Sequence, residues 1–318
     1  MSLVSFLFQS PKPATYNTNS FPRELCWFSK KIPCLWAPFQ QSQTVLIYLH
    51  GNASDLGTDR DFIWRLSNAL GVNVLAIEFP NYGPFLTLEL PTEETLFRRV
   101  KEVCTQLCGM SNVEHILVLG FSLGCTAATH IVSEPPCSKI RALILYSPFS
   151  SLHDLLDDVA NNSFVSGSLK RVVPNHVFHN HKNIQSIQVP IGIFHGTRDI
   201  LIPPRHAEQL SRANPYARLF LIPDMTHNIS ASSRLESDLL TQTREFVRGV
   251  LLTLPSSRSV PVSTSSISFP QEFWTAPTLL DHNGGVDGTD RSHSFIFFAC
   301  GLVVLALYLL RRCHARLE

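Results

Sequence analysis

Charge is scarce in this chain: Asp, Glu, Lys and Arg make up 16% of its 318 residues, against about 25% in ordinary soluble domains. What charge there is nearly cancels, with 26 Lys+Arg against 25 Asp+Glu and a formal net charge of +1. No basic field exists to hold a phosphate backbone, so nucleic acid is excluded as a first-choice partner. Cysteine is also sparse. Eight in a chain this long fall far short of a disulfide scaffold, and none forms a CxxC pair with His at zinc spacing. Cys104 and Cys108 stand four apart, a helix-face spacing, and a reducing compartment with free thiols is the simplest expectation. No internal repeat is evident. The apolar start, Met1 to Phe8, lacks a basic n-region, a full-length h-region and a small-residue cleavage site before Pro11, so it makes a weak secretory signal. Hydrophobic residues reach 44%, which rules out disorder of the whole chain and suffices for one large domain or two modest ones.

The apolar residues are distributed in two ways. Phe295 to Leu310 (FIFFACGLVVLALYLL) is a run without charge followed by Arg311, Arg312 and Arg316. It is shorter than the roughly 18 residues of a customary membrane span, and a buried core helix is the alternative. A Ser/Thr/Pro/Gly-rich stretch precedes it, from about Leu254 to Ser294, which composition marks as a disordered tether with no domain at hand to bury the run. A transmembrane anchor is therefore expected. The chain divides into an N-terminal extension (1–43), a folded domain (44–252), a linker (253–294), the anchor (295–310) and a basic tail (311–318). Cys300 and Cys313 are candidates for S-acylation.

Within the domain, strand and helix patterns alternate. Thr44 to His50, Val72 to Pro80, His115 to Gly120, Arg141 to Ser147, Ile191 to Gly196 and Ala217 to Pro223 read as short, nearly continuous apolar strands. Helices are expected at about Asp59 to Leu70, Thr92 to Leu107, Leu123 to Val132, Pro204 to Arg212 and Asp238 to Leu252. Such alternation predicts an α/β fold: a mainly parallel sheet with helices on both faces, and a ligand site beyond the carboxyl ends of the strands. Residues 151–188 form the one sizeable insertion between core strands, which suits a small cap over that site. The cap contains His176, His179 and His181, whose spacing matches neither a helical i, i+4 pair nor HExxH, so no metal and no cofactor is expected.

Three strand ends carry chemistry. Gly120-Phe121-Ser122-Leu123-Gly124 is a GxSxG turn between a strand and the small-residue helix CTAATH. A turn that tight leaves room only for glycine at its flanks and lifts the Ser122 hydroxyl out at a helix N-terminus. A serine hydroxyl is protonated at neutral pH, so it needs a base in hydrogen-bond reach and a third group to orient that base. Asp199, in the loop after the IGIF strand, and His227, in the loop after LFLIP, supply them in the chain order of an α/β-hydrolase triad. A tetrahedral intermediate also needs N–H donors for its oxyanion. The N–H of Leu123 is one, and that of Asn52, in the His50 to Gly57 loop after the first strand, is the second.

Together LHGNASDLG, EFPNYGP, GFSLG, SPFSS, HGTRDILIP and DMTHN resemble successive blocks of an α/β hydrolase of the serine-aminopeptidase-like superfamily, and within it the α/β-hydrolase-domain protein depalmitoylases. The resemblance covers roughly Thr44 to Val250 and is specific for fold and triad, much less so for substrate. It departs from the family pattern at Asn81, where Gly is usual, and at Phe79, where a basic or acidic residue is usual. The depalmitoylases carry a lipidated N-terminal Cys cluster; here only Cys26 and Cys34 stand in that region, and the C-terminal anchor would replace the lipid. The resemblance implies a membrane-tethered serine hydrolase acting on acyl esters or thioesters of an acylated protein or lipid. Lipid or small carboxylester hydrolysis is the alternative within the class, a peptidase is disfavoured, and a non-catalytic scaffold is the alternative outside it. With no secretory signal and an anchor so near the end, the catalytic domain is expected to face the cytosol from the endoplasmic reticulum, the mitochondrial outer membrane or a peroxisome. Sequons at Asn52 and Asn228, where glycans would obstruct the site, point the same way. Oligomeric state is not encoded.

Overall fold

The computed structural model describes residues 8–40, 42–84, 90–160, 177–253, 267 and 269–275. Among these residues eight strands form one sheet in the order β1-β2-β4-β3-β5-β6-β7-β8. They are β1 (Leu25–Phe28), β2 (Ile32–Ala37), β3 (Thr44–Leu49), β4 (Asn73–Ile77), β5 (His115–Phe121), β6 (Ile140–Tyr146), β7 (Ile191–Gly196) and β8 (Ala217–Ile222). From β4 to β8 all pairings are parallel, while β1 and β2 join antiparallel.

The six parallel strands coincide with the six apolar runs read from sequence. In β3 to β7 that near-continuous hydrophobicity follows from burial on both faces, whereas β8 is an edge strand with Leu221 exposed. In β3, Val45, Ile47 and Leu49 enter one core, while Leu46 and Tyr48 enter the other. The first core lies under α2 (Glu93–Gly109), α3 (Gly124–Ser133), α5 (Asn180–Ile184) and α6 (Arg205–Arg212). The second lies under α1 (Leu56–Leu70) and α7 (Ser233–Thr253). Each fully buried Leu or Ile contributes about 1.5–3 kcal/mol of transfer free energy. The insertion after β6 begins with α4 (Leu152–Ala160) and ends with α5; residues 161–176 of the expected cap, His176 among them, lie outside the described residues.

Three expectations change. First, residues 25–37 are part of the sheet rather than an extension ahead of it. Their hairpin turns at Ser29 and Lys30, with φ of 50° and 58°, where Asn-Gly is the usual signal for paired positive φ. Cys26 and Cys34 face each other across that hairpin and are buried, and burial pushes both thiols well up. Second, part of the expected linker is packed. Phe269 and Phe273 meet Phe28 edge-on at 5.4 and 4.8 Å, and Phe269 lies 4.6 Å from Trp36, with a short 3₁₀ turn at Gln271–Trp274. The aromatic residues in FPQEFW cover the outer strands, which the Ser/Thr/Pro bias of the surrounding stretch conceals. Third, Cys108 is joined to Cys137 in a disulfide, so not all cysteines are free thiols. Cys104, four residues earlier on the same face of α2, is buried in the core against which Cys108 also packs. Among the described residues no helix is long and apolar enough to cross a membrane, and Phe295 to Leu310 lies outside them.

Candidate active site

Ser122 sits between the end of β5 and α3 with φ at 51°, a left-handed conformation uncommon for a residue other than glycine. The turn is held because the Ser122 N–H donates to the Tyr146 carbonyl at 2.9 Å. Its flanks are glycine for a visible reason. A Cβ on Gly124 would overlap the Leu49 and His50 carbonyl oxygens, and one on Gly120 would lie 2.5 Å from the Gly124 carbonyl. Leu123 follows at φ −56°, ψ −37° as the N-cap of α3, so its N–H belongs to the donors that a helix N-terminus leaves without an intrahelical partner.

The loops after β7 and β8 bring the other two residues to Ser122. His227 Nε2 lies 3.1 Å from Ser122 Oγ, and Asp199 Oδ2 accepts from His227 Nδ1 at 2.7 Å. The tautomer follows, since a proton on Nδ1 leaves Nε2 free to take the serine proton. Phe121 stacks on the His227 ring at 5.3 Å, fixing its plane. Asp199 is itself pinned, with Oδ1 accepting from the N–H groups of Leu201 and Ile202 at 3.0 and 2.9 Å. Burial works against its charge, but His227, His195 and these donors outweigh burial and hold the carboxyl well below its usual range. The structure thus brings Ser122, Asp199 and His227 together, with His227 partly exposed and Ser122 reachable.

Asn52 lies in the β3 to α1 loop next to this group. Its side-chain oxygen accepts from Tyr82 at 2.6 Å and from the Gln9 N–H at 2.8 Å, and the following Ala53 is at φ 59°. The loop is backed by a buried pair, His50 and Glu78, whose side chains meet at 3.0 Å. Burial pushes His50 toward neutrality, but the hydrogen bond and charge of Glu78 outweigh it and raise the imidazole above its ordinary value. Phe79, where the family pattern carries a charge, stacks on His50 at 3.8 Å. Asn81, where glycine is usual, has φ of 62°, a conformation Asn tolerates better than most residues.

Two features escaped the sequence reading. His195 is fully buried behind the acid, with Nε2 2.7 Å from the Ile202 carbonyl and 3.3 Å from Asp199. His206, at the start of α6, accepts at Nδ1 from the Ser150 N–H at 3.2 Å and donates from Nε2 to Asp158 of α4 at 2.6 Å. Burial and the neighbouring Arg205 push His206 down to about 4. No motif announces either residue; one is an ordinary strand histidine and the other an ordinary helix histidine until the fold buries them. His179, expected as a solvated loop residue, caps α5 by accepting from the Lys182 N–H at 3.2 Å.

An esterase of Pyrococcus furiosus, Pf2001, superposes with a TM-score of 0.59 over 76% of this chain and 99% of its own, at 18% identity. The fold is that of an α/β hydrolase. Among proteins of related sequence, the α/β hydrolase domain-containing protein aho-3 of Caenorhabditis elegans is 23% identical over 238 residues, 73% of this chain and 67% of that protein. The lysophosphatidylserine lipase ABHD12 of Macaca fascicularis is 24% identical over 228 residues, 65% of this chain and 53% of its own length. The chain thus matches about half to two thirds of the length of these two relatives. No protein-family model matches the hydrolase-fold chain.

Proposed function

We propose that this protein is a serine hydrolase that cleaves acyl esters or thioesters through an acyl-Ser122 intermediate. The observation that carries the reading is the single hydrogen-bonded line Ser122–His227–Asp199, at 3.1 and 2.7 Å. Likeness to an esterase fold and to a lipase supports hydrolysis as the class of reaction.

In the proposed mechanism His227 Nε2 takes the Ser122 Oγ proton as Oγ attacks the acyl carbonyl carbon. The carbonyl electron pair moves to oxygen, where the N–H groups of Asn52 and Leu123 receive it, each donor supplying on the order of 3 kcal/mol. Collapse of the tetrahedral intermediate breaks the bond to the leaving group, and His227 returns the proton to the departing alcohol or thiol. Water, deprotonated by His227, then attacks the acyl-serine and releases the carboxylic acid. Asp199 keeps the proton on Nδ1 and stabilises the imidazolium that forms in each half.

The substrate reading is a long acyl chain presented at a membrane, including protein palmitoyl thioesters. It rests on the resemblance to depalmitoylases and on the apolar run Phe295 to Leu310 as a tether. Lipid carboxylesters are the second reading, favoured by the likeness to a lysophosphatidylserine lipase. The mechanism is tested by pre-steady-state hydrolysis of a nitrophenyl ester. A burst of nitrophenol matching the enzyme concentration, absent in Ser122→Ala, is expected; turnover by Ser122→Ala would refute the acyl-serine route. Side-by-side rates on a palmitoyl-thioester peptide and a lysophospholipid separate the two substrates.

A further inference from the structure

The segment ahead of the first strand does more than precede the domain. Residues 8–16 run along the β3 to α1 loop and attach to it directly at two points and through Glu78 at a third. At the first, the Gln9 N–H donates to the Asn52 side-chain oxygen at 2.8 Å, with Phe8 buried edge-on against Tyr82 and Phe178 at 6.3 and 5.9 Å. At the second, Thr15 donates to the Asp55 carboxylate twice, from its N–H at 2.9 Å and from its hydroxyl. Asp55 is the N-cap of α1, and it also accepts from the Thr58 N–H at 2.9 Å. At the third, the Tyr16 hydroxyl donates to Glu78 Oε2 at 2.7 Å; the same oxygen accepts from the Leu56 N–H at 3.2 Å, while Glu78 Oε1 holds His50.

The rest of the protein is shaped around this crossing. A Cβ on Gly57 would come within 2.9 Å of Tyr16, and one on Gly83 would lie 2.5 Å from the Tyr16 hydroxyl and 2.9 Å from Glu78. Two glycines, Gly57 in the first turn of α1 and Gly83 in the loop after β4, therefore leave the space that Thr15 and Tyr16 fill. Beyond Tyr16 the segment is locked to α1: Phe21 stacks on Tyr16 at 5.8 Å, and Glu24 accepts from Arg60 at 2.8 Å and from Trp64 at 3.1 Å. Tyr16 is buried, and burial together with Glu78 raises its phenol well above the ordinary value, so it remains a donor at working pH.

From this geometry we infer that residues 8–16 are a strap that sets the position of the oxyanion loop, with Tyr16 and Thr15 as positioning residues acting through Glu78, His50 and Asp55 on the Asn52 N–H. The inference rests on the proposed role of Asn52. Loop backbone carries no regular ladder, and in such a segment small displacements persist unless side chains over-determine it. A donor misplaced by about 1 Å can cost on the order of a hundredfold in rate. Because Thr15 and Tyr16 act on the loop through Asp55 and Glu78, their loss is expected to lower kcat while leaving substrate binding nearly unchanged.

The test is steady-state hydrolysis of a soluble nitrophenyl ester by the full chain carrying Tyr16→Phe, Thr15→Val or Thr15→Ser, with hydrogen exchange followed over residues 50–56. Tyr16→Phe and Thr15→Val are expected to lower kcat about 10- to 100-fold with KM changed by no more than about twofold, and to speed exchange in that peptide. Thr15→Ser, which keeps the hydroxyl, is expected to restore both. Wild-type kcat and unchanged exchange in Tyr16→Phe would overturn the strap while leaving the hydrolase reading intact. Faster exchange in 50–56 with no change in kcat would show that the strap holds the loop but that Asn52 is not an oxyanion donor. A loss of kcat that tracks only the unfolded fraction, with Thr15→Ser as impaired as Thr15→Val, would reduce the segment to general stability and overturn the inference.

Discussion

At Ser122 a left-handed backbone, two glycine flanks and one acceptor nitrogen at 3.1 Å converge on a single hydroxyl. A non-glycine residue held at such φ stores on the order of 1–3 kcal/mol, and persists because its surroundings over-determine it. Ser122→Ala and His227→Ala are each expected to keep the fold and to lose hydrolysis by about 10⁶, the loss found for single triad removals in subtilisin. Asp199→Asn should be milder, about 10⁴, since the side chain can still accept from Leu201 and Ile202 but no longer enforces the tautomer. Rates on a soluble ester with circular dichroism as a fold check measure all three. These residues were legible in the sequence because each sits at the end of an apolar strand in a fixed chain order, and the requirement that Gly flank Ser122 is local. His195, His206 and Tyr16 were not legible, because what gives them their roles is burial against residues 4 to 62 positions away.

At the scale of elements, α4 and α6 are tied by His206 between Ser150 and Asp158, with Arg205 also paired to Asp158. Arg205, Asp154, Asp158, His195 and Asp199 all face this imidazole. With its folded pKa pushed down to about 4 and an unfolded value of about 6.5, the unfolded chain takes up a proton that the folded one refuses between those limits. Stability is therefore full above about pH 6.5 and falls as pH drops toward 4. Thermal melts between pH 7 and 4.5 should show this decline, and His206→Asn should flatten it; an equal slope in the variant would contradict the assignment. Asp199 and Asp55, whose carboxyls sit below their usual range, add their own loss only below about pH 4.

The outer strands yield a second prediction at this scale. A chain ending at Thr253 loses the packing of Phe269 and Phe273 on Phe28, whereas one ending at Thr275 keeps it. The shorter chain is expected to melt lower by on the order of 5 to 10 °C, with both equally active on a soluble ester. Equal melting temperatures would show that the docked turn contributes nothing. The six parallel strands were read correctly because period and apolarity are local. The β1–β2 hairpin was missed because Ser29-Lys30 is an unusual pair for its turn, and the docked aromatics because composition averages over the stretch that contains them.

For the whole molecule, the disulfide and the proposed tether bear on where the domain works. A Cys108–Cys137 bond belongs to an oxidising setting, while glycans at Asn52 or Asn228 would crowd the site and favour the cytosolic side. Peptide mapping without reductant, combined with protease added to intact organelles, decides between them. Digestion of the domain supports the cytosolic proposal whether or not the Cys108–Cys137 bond is recovered; a protected domain with the two linked overturns it. In either case Cys26, Cys34, Cys104 and Cys125, all buried, should resist alkylation until the protein unfolds.

The central claim is that Ser122 is a nucleophile activated by His227. Its most direct test is reaction of the folded, full-length chain with a fluorophosphonate, followed by peptide mass spectrometry. One phosphonyl adduct on Ser122 is expected, abolished in Ser122→Ala and slowed at least a hundredfold in His227→Ala, by at least about the 10² contributed by general-base assistance. A folded wild-type protein that takes up no probe, or that carries the adduct on another residue, would contradict it.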